Sequence, residues 1–382
     1  VDSGNRGSGL KRFQFGIIGG GLMGREFASA AARWCHLTNV PAVPEIVAVS
    51  DVNAAATTWF TNHFPSVRAY GDYRELLADP SIDAVYIAVP HHLHEEIYVA
   101  AIRAGKHLFA EKPFGIDLPS AQRIFNEVQA HPEVLVRVSS EFPFYPAAVR
   151  ISQMIAQGEF GKIFEVRAGF LHSSDLDPTK PINWKRRIAT NGEYGCMGDL
   201  GLHVLHLPLR FGFHPANVRA LLTKVVDHRP GADGALVATE TWDNAILACT
   251  TTEGIPMVLE TKRISPGDTN TWYIRILGTE NSAEFSTHRP KTLRTMPYQP
   301  GRPQAWHDED LGYESVTPGI TGHIFEFGFP DAILQMWASF LTELAGEEQS
   351  FRCATPEEAL ASHRLFTAAL ASHRDSTTVE VC

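Results

Sequence analysis

Asp199 and His203 lie four residues apart in the segment GDLGLH (198–203), inside an otherwise apolar stretch. On a helix, positions i and i+4 share a face. A carboxylate beside an imidazole fixes its tautomer and raises its basicity. Such a histidine takes the proton from an alcohol as a hydride leaves the same carbon. Two other chemistries fit the same residues. In one, Asp199 caps the helix over a buried His203. In the other, Asp199, His203 and His206 bind a metal, although no further Glu/His cluster supports that and no metal is expected.

A second chemical group is Lys112 in FAEKPFG (109–115). At the carboxyl end of a parallel strand it faces the crevice where open α/β sheets bind ligands. There a lysine hydrogen-bonds a substrate hydroxyl and favours negative charge on its oxygen. A solvated lysine ending a strand fits the pattern equally well. A third site is GIIGGGLMG (16–24), which supplies G-x-G-x-x-G as Gly19, Gly21 and Gly24 between a strand and a helix opened by Leu22 and Met23. The glycines permit a tight turn, close approach of a pyrophosphate, and close helix–strand packing. The helix start offers free N–H groups. Asp51 ends the second strand, where adenosine ribose hydroxyls are bound. It would repel a 2′-phosphate and no Arg follows it directly, which favours NAD over NADP. The loop HLTNVPAVP accounts for the long spacing from Gly24, and Asn53 reads as a helix N-cap.

These groups must be held by elements that the hydrophobic pattern outlines. Nearly continuous apolar runs at 13–19, 45–51, 84–90, 107–113 and 134–140 read as strands buried on both faces. Helix-like segments separate them, so a doubly wound parallel Rossmann sheet is expected over residues 11–140. From 141 to 382 the texture changes. A helix precedes alternating strands at 162–172, 217–226, 235–243, 245–254, 256–264 and 272–286, implying an α/β domain with a large open, mostly antiparallel sheet. Residues 288–323 read as a long surface excursion, and helices at about 330–346 and 355–373 close the chain, with Thr355 as N-cap and the option of packing back on the first domain. Residues 1–10 read as a disordered leader.

Composition bounds the function. The chain has 382 residues, enough for two domains, and a net charge of -10 with no block of like charge. Nucleic acid and membrane are therefore not expected partners. Five scattered cysteines without a C-x-x-C pair point to reduced thiols and a cytoplasmic protein. The polar, Pro-broken loop HSSDLDPTKPINWKRR (172–187) offers Trp184 to stack on a sugar ring and Lys185 or Arg186 to bind hydroxyls, with Asp175 nearby.

With GIIGGGLMG, AEKPFG and GCMGDLGLH in this order, the chain resembles the Gfo/Idh/MocA oxidoreductase family, in the group of inositol 2-dehydrogenase and glucose–fructose oxidoreductase. The likeness runs from about Lys11 to the C-terminus. It implies a Rossmann domain, a second domain whose open sheet forms a homodimer or homotetramer face, and hydride transfer between NAD(P) and a secondary alcohol carbon. Residue by residue, it implies that Lys112 bridges nicotinamide and substrate, with Glu111 beside it in a segment that holds a cis proline. Asp199 and His203 match D-x-G-x-H, and Pro90 and His94 match the segment beside the nicotinamide. The chain departs from the family at His91, where Asn is common, and at Glu141 and Pro143, where Asn and Arg are common. Glu141 still points to the crevice as a substrate-binding group. The expectation is an NAD-dependent dehydrogenase oxidising a secondary alcohol of a sugar, glycoside or cyclitol. An NAD-dependent glycoside hydrolase acting by oxidation and elimination is one alternative, and a non-catalytic NAD-binding regulator is another.

Overall fold

The computed structural model describes residues 10–382. The leader expected over 1–10 lies outside the described residues except for Leu10. The first sheet is parallel, formed by β1 (Lys11–Ile18), β2 (Ala42–Ser50), β3 (Arg68–Tyr70), β4 (Ala84–Ile87), β5 (His107–Ala110) and β6 (Val136–Val138), in the order 3-2-1-4-5-6. Its interior strands are apolar on both sides because helices cover both faces. These helices are α1 (Leu22–Ala32), α2 (Ala54–His63), α3 (Tyr73–Ala78), α4 (His94–Arg103) and α5 (Leu118–Ala130). Asn53 caps α2, accepting from the Ala55 N–H at 3.0 Å.

Two expectations are corrected here. The strand β3 has only three residues, two of them exposed, so no apolar run announces it. The strand β2 begins at Ala42, inside the segment read as a loop. It accommodates Pro44 beside Phe13 of β1.

The second layer opens with α6 (Pro146–Ala156), β7 (Ile163–His172), α7 (Ile188–Asn191), α8 (Cys196–Arg210) and β8 (Pro215–Thr223). A short hairpin, β9 (His228–Pro230) and β10 (Leu236–Ala238), stands apart. The sheet continues through β11 (Asn244–Thr251), β12 (Pro256–Lys262), β13 (Asn270–Gly278), β14 (Ser282–Ser286), β15 (Thr292–Thr295) and β16 (His307–Asp310). The chain closes with α9 (Phe329–Leu344), α10 (Pro356–Asp375) and β17 (Val379–Glu380). The nine strands run 16-15-14-13-7-12-11-8-17, and within them β7 and β12 pair parallel while the other pairs are antiparallel. The expected strand at 235–243 stops at Ala238, and the expected excursion at 288–323 contains β15 and β16, which extend the sheet edge. Their polar faces hid them from a hydrophobic pattern.

Helix α8 lies against this sheet, and its residues from Cys196 to Leu209 are buried. Its other side meets α10, where Gly201 sits so close to the Phe366 ring that an added Cβ would lie 2.3 Å from it. Thr355 caps α10 by accepting from the Glu358 N–H at 3.2 Å. Helix α9 crosses back to α1, and Trp337 stacks on Phe27 with ring centroids 3.7 Å apart and meets Phe15 edge-on at 5.4 Å. The C-terminal part of the chain therefore completes the core under the glycine turn. Trp337→Ala leaves a void between α9 and the first sheet that costs about 3–5 kcal/mol. A clear drop in Tm by scanning calorimetry is expected, and an unchanged Tm would refute this dependence.

Candidate functional site: a cleft between the two sheets

A cleft of about 1040 Å³ runs from the glycine turn to α8. One end lies at the carboxyl ends of β1 and β4, where the strand order reverses and open α/β sheets bind ligands. Gly19 has φ +101°, and a Cβ there would lie 2.2 Å from the Ala88 carbonyl. A Cβ on Gly24 would lie 2.1 Å from the Gly19 carbonyl. Gly21 is different, because nothing in the chain lies within 4 Å of its would-be Cβ. That open space, with the uncapped start of α1 at Leu22 and Met23, fits a pyrophosphate. Asp51 accepts from the Gly20 N–H at 2.8 Å and the Asn53 N–H at 2.8 Å, and its carboxylate retains lone pairs for ribose hydroxyls. Leu22 and Val52 line this end with 75% and 97% of their surface exposed, an apolar margin suited to a flat ring. The residues present thus fit a dinucleotide.

In the middle of the cleft stand Pro90, His91, Glu111 and Lys112. His91 is buried, with Nδ1 3.3 Å from the Asn191 carbonyl oxygen and its ring edge-on to Trp184 at 4.8 Å. Glu111 accepts from the Tyr86 hydroxyl at 2.6 Å, and its carbonyl accepts from the Tyr98 hydroxyl at 2.8 Å. The Lys112–Pro113 bond is cis. His94 departs from its expected place beside the cofactor. It is fully buried behind the cleft wall, with Nδ1 2.7 Å from the Pro113 carbonyl and Nε2 3.0 Å from the Val89 carbonyl. Its neutral ring donates its one N–H to one of these carbonyls, and both nitrogens face backbone, so His94 packs under the loop that carries Lys112.

The far end is built on α8, which begins at Cys196 rather than near Gly198. Asp199 therefore lies within the first turn and is not the cap. Asp199 and His203 do share a face, but no hydrogen bond joins them, which corrects the expected dyad. The Asp199 carboxylate is taken by cations. Lys185 Nζ donates to Oδ1 at 3.0 Å and Oδ2 at 3.2 Å, Lys112 Nζ to Oδ1 at 3.2 Å, and Arg263 contacts Oδ2. Lys112 Nζ also donates to the Asp199 carbonyl at 2.6 Å. Burial pushes the Lys112 ammonium below its ordinary range. It pushes Lys185 further down, with the Arg263 and Lys112 charges adding to the effect.

The carboxylate nearest His203 is Glu141, whose Oε2 lies 3.6 Å from His203 Nδ1. Phe142 and Phe170 flank the imidazole edge-on at 5.4 and 5.3 Å. Burial, then the Lys112 charge, keeps His203 neutral well below the usual imidazole range. Burial and the Glu111 charge raise the Glu141 carboxyl to about 7. His206 turns away, with Nε2 3.2 Å from the Arg352 carbonyl, so Asp199, His203 and His206 do not converge on one point.

The loop after β7 brings Trp184 and Lys185 to the cleft, with Lys185 Nζ 5.5 Å from the Trp184 ring centroid. Arg186 is not among the lining residues. It is buried and paired with Asp243 at 2.6 Å and with Asp175, so it braces the loop. Sequence reasoning missed His172, Arg263 and Asn270, which also line the cleft. All three cluster because β7 pairs with β12 in parallel and with β13 antiparallel, Leu171 opposite Lys262 and His172 opposite Asn270. Their positions at strand ends were visible in sequence, but the strand neighbours were not.

A dinucleotide cradle and a lysine at the carboxyl ends of a Rossmann sheet, facing a buried histidine on a helix of the second domain, define a nicotinamide-dependent oxidoreductase. Residues 13–139 match the family model "Oxidoreductase family, NAD-binding Rossmann fold" and residues 148–284 match "GFO/IDH/MocA C-terminal domain". The chain belongs to the Gfo/Idh/MocA oxidoreductase family, and its first domain is an NAD-binding Rossmann fold. Levoglucosan dehydrogenase of Pseudarthrobacter phenanthrenivorans is 26% identical over 299 residues, covering 75% of this chain and 76% of that protein. A levoglucosan dehydrogenase solved in complex with NADH superposes with a TM-score of 0.88 at 23% identity, over 97% of this chain and 100% of that one, a likeness of fold. An NAD-binding oxidoreductase from Klebsiella pneumoniae superposes with a TM-score of 0.87 at 25% identity, over 97% of this chain and 99% of that one.

The two glycines separate binding from folding. Gly21→Val has room in the chain and is expected to leave Tm unchanged while weakening NAD about tenfold or more, as for a lost charge-assisted hydrogen bond. Gly24→Val must displace the Gly19 carbonyl and is expected to lower Tm. Calorimetry with NAD titration checks both, and equal NAD affinity in Gly21→Val and the parent protein would refute the placement.

Proposed function

We propose that this chain is an NAD-dependent dehydrogenase that reversibly oxidises a secondary alcohol of a sugar, glycoside or cyclitol to the keto form. The observation that carries the reading is the single cleft in which Lys112 stands between the glycine turn and His203. The relative that acts on levoglucosan, by its name, supports the sugar class. The cofactor, when bound, accepts the hydride.

In this reading Lys112 donates a hydrogen bond to the reacting hydroxyl oxygen. Burial lowers its proton affinity and so sharpens it as a donor. His203, neutral in its aromatic slot, takes the hydroxyl proton on the nitrogen that faces the cleft. Asp199 holds Lys112 and Lys185 in place instead of orienting the histidine. Pro90, His91 and Glu111 wall the nicotinamide end. Trp184, Lys185 and Glu141, with His172, Arg263 and Asn270, bound the substrate end. Asp51 supports NAD over NADP. The cation Arg74, which lines the same end, pairs with Glu96 at 2.7 Å.

We also propose a homodimer or homotetramer through the outer face of the nine-stranded sheet. Leu221 and Ile246 sit opposite each other on β8 and β11, exposed by 55% and 37%. Unpaired cysteines support a reducing, cytoplasmic setting.

The test is NADH formation across a panel of sugars, glycosides and inositols. Lys112→Ala and His203→Ala are expected to lose about 100-fold or more in kcat. Full activity in both variants would refute the assigned roles. By sedimentation velocity, Leu221→Asp with Ile246→Asp is expected to yield monomers. A parent protein that is itself monomeric would refute the assembly.

A further inference from the structure

We propose that Glu141 is the proton-accepting partner of His203, so that the imidazole passes the substrate's proton inward to a buried carboxylate. The inference rests on the dehydrogenase reading above and deepens it.

The geometry leaves one candidate for the role. Asp199 is engaged by Lys112, Lys185 and Arg263. Glu141 follows β6, is buried, and lines the cleft with Oε2 3.6 Å from His203 Nδ1. That is just beyond hydrogen-bond reach, and catalytic contacts of this kind tighten when substrate binds. His203 Nδ1 is buried without a hydrogen-bond partner. An orphaned buried ring nitrogen is costly, and its neighbour is a carboxylate able to satisfy it. Phe142 and Phe170 stand at 87° to the imidazole and confine it, with Nδ1 toward Glu141.

The step balances with groups already present. As the hydride leaves the carbon with its electron pair for the nicotinamide, the substrate O–H bond breaks and Nε2–H forms. The Nδ1–H bond breaks and a proton binds Glu141 Oε2. Reduction of the ketone runs the same transfers backwards, with the protonated Glu141 as the source. Glu141 acts through His203 and is a positioning residue in that sense.

The charges facing the pair come from several elements. Glu111 and Lys112 lie after β5, Tyr86 on β4 and Tyr145 before α6. On the histidine side are Lys112, His172 on β7, His206 on α8 and Lys185 on the substrate loop. Burial first, and Glu111 second, raise Glu141 to about 7, while burial keeps His203 well below its ordinary range. A proton on the pair therefore resides on Glu141. Below about pH 7 Glu141 is already protonated and cannot accept, so alcohol oxidation falls as pH drops through that value, and ketone reduction gains.

Glu141→Gln keeps the shape and removes the acceptor. Measured with NAD and the best substrate of the panel, oxidation kcat is expected to fall on the order of tenfold or more with little change in KM, and the acidic limb of the kcat profile to vanish. Glu141→Asp should recover part of the rate and keep the limb. A readout free of turnover is the ¹⁵N-histidine NMR titration of the protein without substrate. The His203 signals are expected to move through about pH 7 in the parent protein and to stay flat in Glu141→Gln. Parental kcat and acidic limb in Glu141→Gln would overturn the proposal. So would His203 signals that ignore the substitution, or a lowered Tm and raised KM with the limb retained. A panel with no turnover would count against the dehydrogenase reading alone, because the NMR titration still decides whether Glu141 and His203 share a proton.

Discussion

Asp199 is a carboxylate with almost no access to water, and Lys112, Lys185 and Arg263 all reach it. A buried charge persists only when paired and hydrogen-bonded, so these four groups constrain one another. They come from four places: helix α8, the turn after β5, the loop after β7, and the end of β12. The chain of charge runs on from Arg263 to Asp175, then to Arg186 and Asp243. This network ties the Rossmann turn that carries Lys112 to the sheet that carries the substrate loop. It holds Lys112 between the dinucleotide end and the far end of the cleft.

That arrangement frees His203 from Asp199. Buried between Phe142 and Phe170 and placed among cations, the imidazole is kept neutral. The acid beside it, Glu141, is buried next to Glu111, and burial and that charge raise its proton affinity despite the nearby Lys112. Two carboxylates at one cleft thus have different duties, set by their neighbours. Asp199 binds the cations, and Glu141 faces His203.

Much of the fold was legible because its signals are local. The glycine turn, the apolar strands β1, β2, β4 and β5, the Asn53 and Thr355 caps and the helical face of α8 all depend on neighbours within a few residues. Strands β3, β15 and β16 were not legible, being short or polar, with their place in the sheets set by partners distant in sequence. The same holds for the cleft. Lys112, His203, Trp184 and Lys185 were recognisable as residue types in suitable contexts. His172, Arg263 and Asn270 become neighbours only through the pairing of β7 with β12 and β13. His94, through its match to the family segment, and Arg186, through its polar loop, were expected in the cleft, yet tertiary contacts turn them to backbone carbonyls and buried carboxylates.

The amino-acid sequence by itself determined the dinucleotide cradle, through local glycine spacing after a strand, and the order of three motifs that gives the likeness to an oxidoreductase family. The strand-end lysine and the acid–imidazole pair at helical spacing were local patterns open to more than one chemistry. Only the tertiary structure decided which acid lies beside which basic group. An i, i+4 spacing puts Asp199 and His203 on one face but does not join them. Three cations from other parts of the chain claim the first, and a glutamate beyond the end of β6 faces the second, because electrostatic pairing is settled by distance in space and by loss of water.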